Sequence, residues 1–180
     1  MQDKSFQRFQ RGLTLIECCI TLAIISILAG TAAPSIIESN KKLMLDGGAA
    51  ELVTDLYLAR SAATSHQEGV RVSFYIASSG SCMIVHTGTK ADCGCDASGV
   101  MACTSPAVLI KGSYFPHSRG VDVSASVPSI RFDPKHGMAT PAGTVRLTTA
   151  SGQEVRHVVN IMGRVRSCSP GGFAKGYPVC

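Results

Sequence analysis

The sequence predicts an α+β chain in which one long N-terminal helix packs on a β-rich domain crosslinked by disulfides. Three observations point there. Leu13 to Ile37 is an apolar run with a single charge, Glu17. Beyond it, apolar residues recur at helical spacing as far as Ala63. From Val70 onward, short segments rich in Val, Ile, Thr and Phe alternate with Gly, Pro, Ser and Asp punctuation.

The chain has 180 residues, enough for one domain plus an extension. Apolar residues make up 45% and charged ones 16%, so a packed core is expected and general disorder is not. There is no Trp, so that core must rest on Val, Ile, Leu, Ala and Met. The net charge is +5; Lys4, Arg8 and Arg11 against Asp3 account for +2, leaving +3 for the rest. So mild an excess does not by itself imply nucleic-acid binding; local clustering would have to carry it.

Residues 1–12, MQDKSFQRFQRG, are short, polar and basic. An ordinary secretory signal would end its apolar stretch in a small-residue cleavage site and be discarded. Here the stretch reads as retained and is long enough to enter or span a bilayer, with Lys4, Arg8 and Arg11 on the cytoplasmic side. A simple signal anchor would account for that much. It would not account for Glu17, because a carboxylate within an apolar helix is costly and calls for a partner.

The run Gly12-Leu13-Thr14-Leu15-Ile16-Glu17 resembles the signature of type IV prepilins and type II secretion pseudopilins. The resemblance covers about the first 25 residues closely. It implies a leader, residues 1–12, that prepilin peptidase removes after Gly12, with methylation of the new N-terminus at Leu13. It implies an inner-membrane, single-pass precursor that is later assembled into a periplasmic or cell-surface filament. Glu17 would then pair with the free amine of a neighbouring subunit. Pro34 falls where pilins have a helix-bending proline. Leu13 departs from the more common Phe.

The apolar helix is read as residues 13–37 and its amphipathic continuation as 38–67. Leu45, Ala49, Leu52, Val53, Leu56, Ala59 and Ala63 form one stripe that should pack on a sheet, with Glu51, Thr54, Asp55 and Ser61 on the other side. Gly47-Gly48 interrupts it at a cost of about 1 kcal/mol per Gly relative to Ala, predicting either local unwinding or a weak turn. Gly69 should follow the helix end.

The β-rich domain is read as residues 68–180. Candidate strands are 70–76, 81–87, 107–111, 121–124, 129–132, 144–149 and 154–162, with Ser151-Gly152 as the hairpin joining the last two. This many strands is similar to the GspH/FimT-type minor pilins. The fold implied is pilin-like, a long helix against a β-sheet domain.

Of the eight cysteines, Cys18 and Cys19 lie in the apolar run and should stay reduced, as small apolar residues. Cys82, Cys93, Cys95, Cys103, Cys168 and Cys180 lie downstream and, in an exported protein, read as disulfides. Zinc on Cys93, Cys95, Cys103 and His86 is the competing reading, but a one-residue Cys-x-Cys gap suits a structural zinc site poorly. Cys168 and Cys180 enclose a Gly/Pro-rich tail that cannot fold by burial, and are expected to pair. The other four allow three connectivities.

No enzyme constellation emerges. His66, His86, His117, His136 and His157 form no metal-spaced pair, no nucleophile elbow or phosphate loop is present, and no cofactor is implied. The informative segment is Gln153 to Cys168. Continued alternation would put Val155, His157, Val159 and Ile161 on one face and Arg156, Asn160, Met162, Arg164 and Arg166 on the other. Arg164 and Arg166 would then stand about 7 Å apart, spaced to grip neighbouring phosphates. Gly163 would clear bulk beside them and Lys175 would add charge.

Read alone, with so low a total charge, the pair is better explained as a solvated edge that discourages strand pairing. Gly163-Arg164-Val165-Arg166, however, looks like the Gly-Arg-x-Arg motif of FimT-like minor pilins, which bind DNA during natural transformation. The resemblance therefore implies a minor pilin that binds DNA through backbone contacts and has other type IV pilins as partners. The alternative from a different class is structural: a minor pilin that primes pilus assembly, or a minor pseudopilin of type II secretion.

Overall fold

The computed structural model describes residues 14–172 and 174–180, without the side chains of 31–36 and Glu38. The expected leader, residues 1–12 with Lys4, Arg8 and Arg11, the Gly12–Leu13 junction and the side chain of Pro34 therefore lie outside the described residues. The chain divides into two compact units, residues 1–39 and 40–180, and helix α1, Leu15–His66, contributes to both.

In the first unit, Thr14 opens α1: its Oγ1 accepts the Glu17 amide at 3.3 Å, as an N-cap does. Leu15, Ile16, Ile20, Leu22, Ile24, Ile25 and Ile27 are all exposed, as is Glu17. Among the described residues no helix is long and apolar enough to cross a membrane. The apolar run read from the sequence also takes in Leu13 and residues 31–36, whose side chains are not described.

In the second unit α1 is helical through Gly47 and Gly48, so the expected unwinding does not occur. The reason at Gly48 is contact: a Cβ there would stand 3.2 Å from Leu147 Cδ2. Leu45, Ala49, Leu52, Leu56, Ala59, Ala62 and Ala63 are buried, while Val53 is only half-buried. Each fully buried leucine contributes about 1.5–3 kcal/mol. The helix ends at His66, and Gln67 takes φ +52, the left-handed conformation that stops a helix.

Asp55 does not lie on the polar side. It falls at helical spacing between Leu52 and Ala59 and is fully buried. Its carboxylate holds Lys111 Nζ on Oδ1 and the Ser113 hydroxyl on Oδ2 at 2.6 Å. The ion pair raises the lysine pKa.

The strands are β1 Val70–Ala77, β2 Gly80–Thr87, β3 Cys93–Cys95, β4 Met101–Cys103, β5 Leu109–Pro116, β6 Val121–Ala125, β7 Ser129–Phe132, β8 Ala139–Thr140, β9 Gly143–Thr149, β10 Glu154–Val159 and β11 Val165–Cys168. They form antiparallel sheets ordered β5-β2-β1-β7-β8, β11-β10-β9-β6 and β3-β4. The two larger sheets and α1 share one core, from Val70, Val72, Met83 and Val85 to Val145, Leu147, Val155 and Val159.

Strand β2 is buried at every position. One face meets the core; the other is covered by the β3–β4 excursion, tied down by Cys82–Cys95 and closed by Cys93–Cys103. Cys168 pairs with Cys180. These thiols are spent in disulfides, so the zinc reading is set aside. His86 is buried against Ser73 Oγ (2.9 Å) and the Thr87 carbonyl (2.7 Å), and burial lowers its pKa. Cys18 and Cys19 form no disulfide.

Candidate functional site

The segment read as one strand from 154 to 162 is a hairpin. β10 ends at Val159, and Asn160 to Gly163 reverse the chain into β11. The Asn160 side chain drives the reversal: its Oδ1 accepts the Arg164 amide at 2.9 Å, its carbonyl accepts the Gly163 amide at 2.9 Å, and its own amide donates to the Arg164 carbonyl at 3.1 Å. Ile161 and Met162 therefore do not continue opposite faces of a strand. They sit together at the tip, 65% and 61% exposed.

Gly163 has φ +70, and a Cβ there would overlap the Gly137 carbonyl and lie 3.1 Å from Arg60 Nε. The glycine is required by the turn and by this close approach. Clearance beside a ligand, the role expected from the sequence, is not what the geometry demands of it.

Arg164 and Arg166 flank the buried Val165 and are both exposed. They keep the alternate spacing expected of them, about 7 Å along a strand, but on the return strand. Among the described residues neither guanidinium forms an ion pair. β11 is an edge strand. Its inner side is held by the Tyr57 hydroxyl donating to the Val165 carbonyl at 3.4 Å and by Ser167 Oγ against His157 Nδ1 at 2.9 Å.

Strand register sets what faces outward with them. Val158 lies opposite Arg166 and Thr144, and Arg156 lies opposite Cys168 and Arg146. The outer face of this sheet thus carries Arg146, Arg156, Arg164 and Arg166. Glu154 on the same face accepts Arg156 Nε at 2.7 Å and stands 3.9 Å from Arg146 Nε. That hydrogen bond raises the Arg156 pKa. Arg146 was not singled out from the sequence. The available signal was its position, five residues before Ser151 as Arg156 is five after it.

Lys175 is exposed on the tail. Its neighbours turn toward the core: Ala174 is buried there, and Tyr177 packs against it, with its phenol pKa raised by burial first and by Asp46 of α1 second. Among the described residues Lys175 shares no hydrogen bond or ion pair with Arg164 or Arg166. Ser169 organises the tail, donating to the Glu154 carbonyl at 2.8 Å and accepting the Ala174 amide at 3.1 Å. Between β11 and the tail lies a cavity of about 510 Å³ lined by Val158, Arg166, Ser167, Cys168, Pro178, Val179 and Cys180.

The profile of the type II transport protein GspH matches residues 48–163, most of the α1 continuation and the sheets. The chain belongs to the GspH family. A second profile, the prokaryotic N-terminal methylation motif, matches residues 7–33 of this GspH-family protein. The GspH match stops at Gly163, one residue before Arg164.

No curated protein sequence matches the chain. Two crystal forms of the type IV minor pilin FimU of Pseudomonas aeruginosa (strain PAO1) are similar in structure. One has 16% identity and a TM-score of 0.49, covering 70% of this chain and 97% of that one. The other has 13% identity and a TM-score of 0.44, covering 78% and 97%.

The family and the methylation motif together define a minor type IV pilin or pseudopilin: a prepilin that is processed, anchored at the inner membrane and assembled with other pilins. Its fold is the α+β, pilin-like one expected from the sequence.

Proposed function

We propose that this GspH-family protein is a minor type IV pilin that binds DNA non-specifically through Arg164 and Arg166, in support of DNA uptake during natural transformation. The observation that carries the reading is the exposed pair itself. Arg164 and Arg166, two residues and about 7 Å apart along the backbone, stand at the start of an edge strand, directly after the turn fixed by Asn160 and Gly163, and among the described residues no carboxylate pairs with them. Each is a multi-donor fork suited to phosphate. Nothing in the arrangement reads base edges, so the contacts are to backbone and the affinity is weak and salt-dependent. Lys175 is a peripheral contributor at most. The protein acts as a binding and structural subunit, without catalysis.

The N-terminal part of the proposal is that prepilin peptidase cuts between Gly12 and Leu13. The apolar helix then crosses the inner membrane once, and Glu17 meets the freed amine of a neighbouring subunit in the filament. The exposed apolar side chains of the first unit are consistent with burial against lipid or other helices.

The deciding experiment is a salt titration of the full processed chain, in uncharged detergent micelles, against a fluorescently labelled duplex of mixed sequence. Wild type should bind with a log–log salt slope near −0.9 per neutralised phosphate. Arg164→Gln with Arg166→Gln should lose that binding while unfolding at the same denaturant concentration. Equal affinity of the double variant would refute the reading.

A structural role in type II secretion or in priming pilus assembly is the second reading, and the description of the matching family favours it. Deletion of the gene distinguishes the two. Lost secretion or lost pili supports the structural role; intact pili with lost transformation supports DNA binding.

A further inference from the structure

The pair formed by Arg166 on β11 and Arg164 just before it is one end of a longer row. Arg146 and Arg156 are directly opposed across β9 and β10, Arg166 lies one register step further along on β11, and Arg164 one step beyond that. Adjacent strands are about 4.8 Å apart, diagonal neighbours about 7–8 Å, and alternate residues along a strand about 7 Å. The four positions therefore form a diagonal track roughly 20 Å long across three strands.

Like charges placed directly opposite each other are destabilising in a sheet. Arg146 and Arg156 occupy such a pair, and Glu154 relieves it. Its carboxylate takes a hydrogen bond from Arg156 Nε at 2.7 Å, a longer one from the terminal nitrogen at 3.4 Å, and lies 3.9 Å from Arg146 Nε. Both arginines keep solvent access, with side chains 35% and 48% exposed. One carboxylate thus balances two guanidinium groups, and the cluster keeps a net positive charge beside Arg166. On the far side the row ends: Asp122 of β6 faces outward opposite Thr148 and is paired with His117 at 2.6 Å. The only uninterrupted cationic direction among the described residues of this face runs from Arg146 toward Arg164.

We propose that Arg146 and Arg156 extend the DNA contact from the hairpin across the outer face of the sheet, and that Glu154 is the internal carboxylate that DNA phosphate displaces from them. This rests on the DNA-binding reading above. A track of roughly 20 Å accommodates several phosphates of one strand, at about 3.4 Å of rise each in a duplex. Phosphate is a better partner than Glu154 for two reasons. A strand offers a phosphate to each guanidinium, whereas Glu154 must be shared, and binding releases condensed counterions that the carboxylate exchange does not. Glu154 thereby sets a threshold. It keeps the two arginines ordered and partly neutralised when DNA is absent, and lowers affinity by the cost of its own release.

The test uses the full processed chain in uncharged detergent micelles, titrated with the labelled duplex and with its separated strands at several salt concentrations. Four proteins are compared: wild type, Arg164→Gln/Arg166→Gln, Arg146→Gln/Arg156→Gln, and Glu154→Gln. The Glu154 backbone carbonyl that holds Ser169 is untouched by the last change, and denaturant unfolding checks each fold. Arg146→Gln/Arg156→Gln should weaken binding roughly tenfold and make the salt slope shallower by about 2. Glu154→Gln should tighten binding and steepen the slope.

If Arg146→Gln/Arg156→Gln binds like wild type while Arg164→Gln/Arg166→Gln does not bind, the track is refuted and the hairpin reading stands. If Glu154→Gln binds no tighter than wild type, the displaced-carboxylate step is refuted. If wild type itself fails to bind at low salt, both readings fall, and the arginine row is left to contact a neighbouring pilin.

Discussion

Gly163, in the turn of the arginine-bearing hairpin, lies against the Gly137 carbonyl with no room for a Cβ between them. The two glycines both have positive φ and both border Arg60 of α1, while the Ala139 amide donates to the Ile161 carbonyl at 3.0 Å. The turn that displays Arg164 is thus clamped to the turn preceding β8. Gly163→Ala would combine an unfavourable left-handed conformation with a backbone overlap, so it should cost about 1–3 kcal/mol. It should also weaken DNA binding although both arginines remain. Denaturant unfolding and the DNA titration, run on the same preparation, check this; unchanged values in both would show that the clamp does not position the pair.

The Asp55–Lys111 pair predicts an asymmetry. Asp55 is fully buried, whereas the Lys111 side chain is 39% exposed. Removing the lysine leaves a carboxylate in the core with the Ser113 hydroxyl as its remaining donor. Removing the carboxylate charge leaves an ammonium that can turn to water. Lys111→Met should therefore cost about 3–5 kcal/mol, and Asp55→Asn clearly less. A denaturant-unfolding double-mutant cycle measures the coupling, and equal costs would mean that desolvation of Asp55 is not what the lysine offsets.

How far these features could be read beforehand depends on whether their cause is local. Leu45, Leu52, Leu56 and Ala59 announce their burial through spacing alone, because a helix presents every third or fourth residue to one side. Asp55 obeys the same spacing, but its burial depends on a lysine and a serine from a distant strand, which no periodicity reveals. The tight turn at Asn160 to Gly163 did have a local signature, an Asn whose side chain can mimic a backbone acceptor and a Gly that takes positive φ. Strand-like alternation on both sides of it hid that signature. Arg164 and Arg166 were visible as a pair because their relation is along the chain. Arg146 was not, since its relation to Arg156 exists only through hairpin register. The short strands β3 and β4 owe their pairing to the Cys93–Cys103 crosslink and the cover they form over β2, not to their own residues.

The Cys168–Cys180 crosslink should stabilise the tail more than the sheets. It closes a loop with a sequence separation of 12, worth about 3 kcal/mol in the chain-entropy model. Ser169 and Ala174 give the tail additional anchors in the protein interior. Replacing both cysteines with Ser should lower the denaturant midpoint and raise amide exchange across residues 169–180, with the amides of β1, β2 and β9 still protected. Loss of protection throughout would instead make the crosslink a requirement of the whole domain.

His157 makes the hairpin sensitive to acid. It faces the core from β10, is 1% exposed, and its Nδ1 meets Ser167 Oγ of β11 at 2.9 Å. Burial lowers its pKa to about 4, with the nearby Ala49 backbone opposing the shift. The unfolded chain takes up this proton near pH 6.5, whereas the folded protein resists it until about pH 4. Stability is therefore full above about pH 6.5 and declines by roughly 3 kcal/mol as pH falls toward 4. His86, also lowered by burial, acts in the same direction. Asp92, Asp96 and Asp133 are lowered by hydrogen bonds from Thr89, Ser98 and the His136 backbone respectively, so their contribution is lost further down, below the ordinary carboxylate range. Denaturant unfolding at pH 7 and pH 5 isolates the histidine window. Wild type should lose stability between the two, and His157→Gln, though weaker at pH 7, should lose distinctly less. A variant whose pH dependence matches wild type would assign the acid sensitivity to other groups.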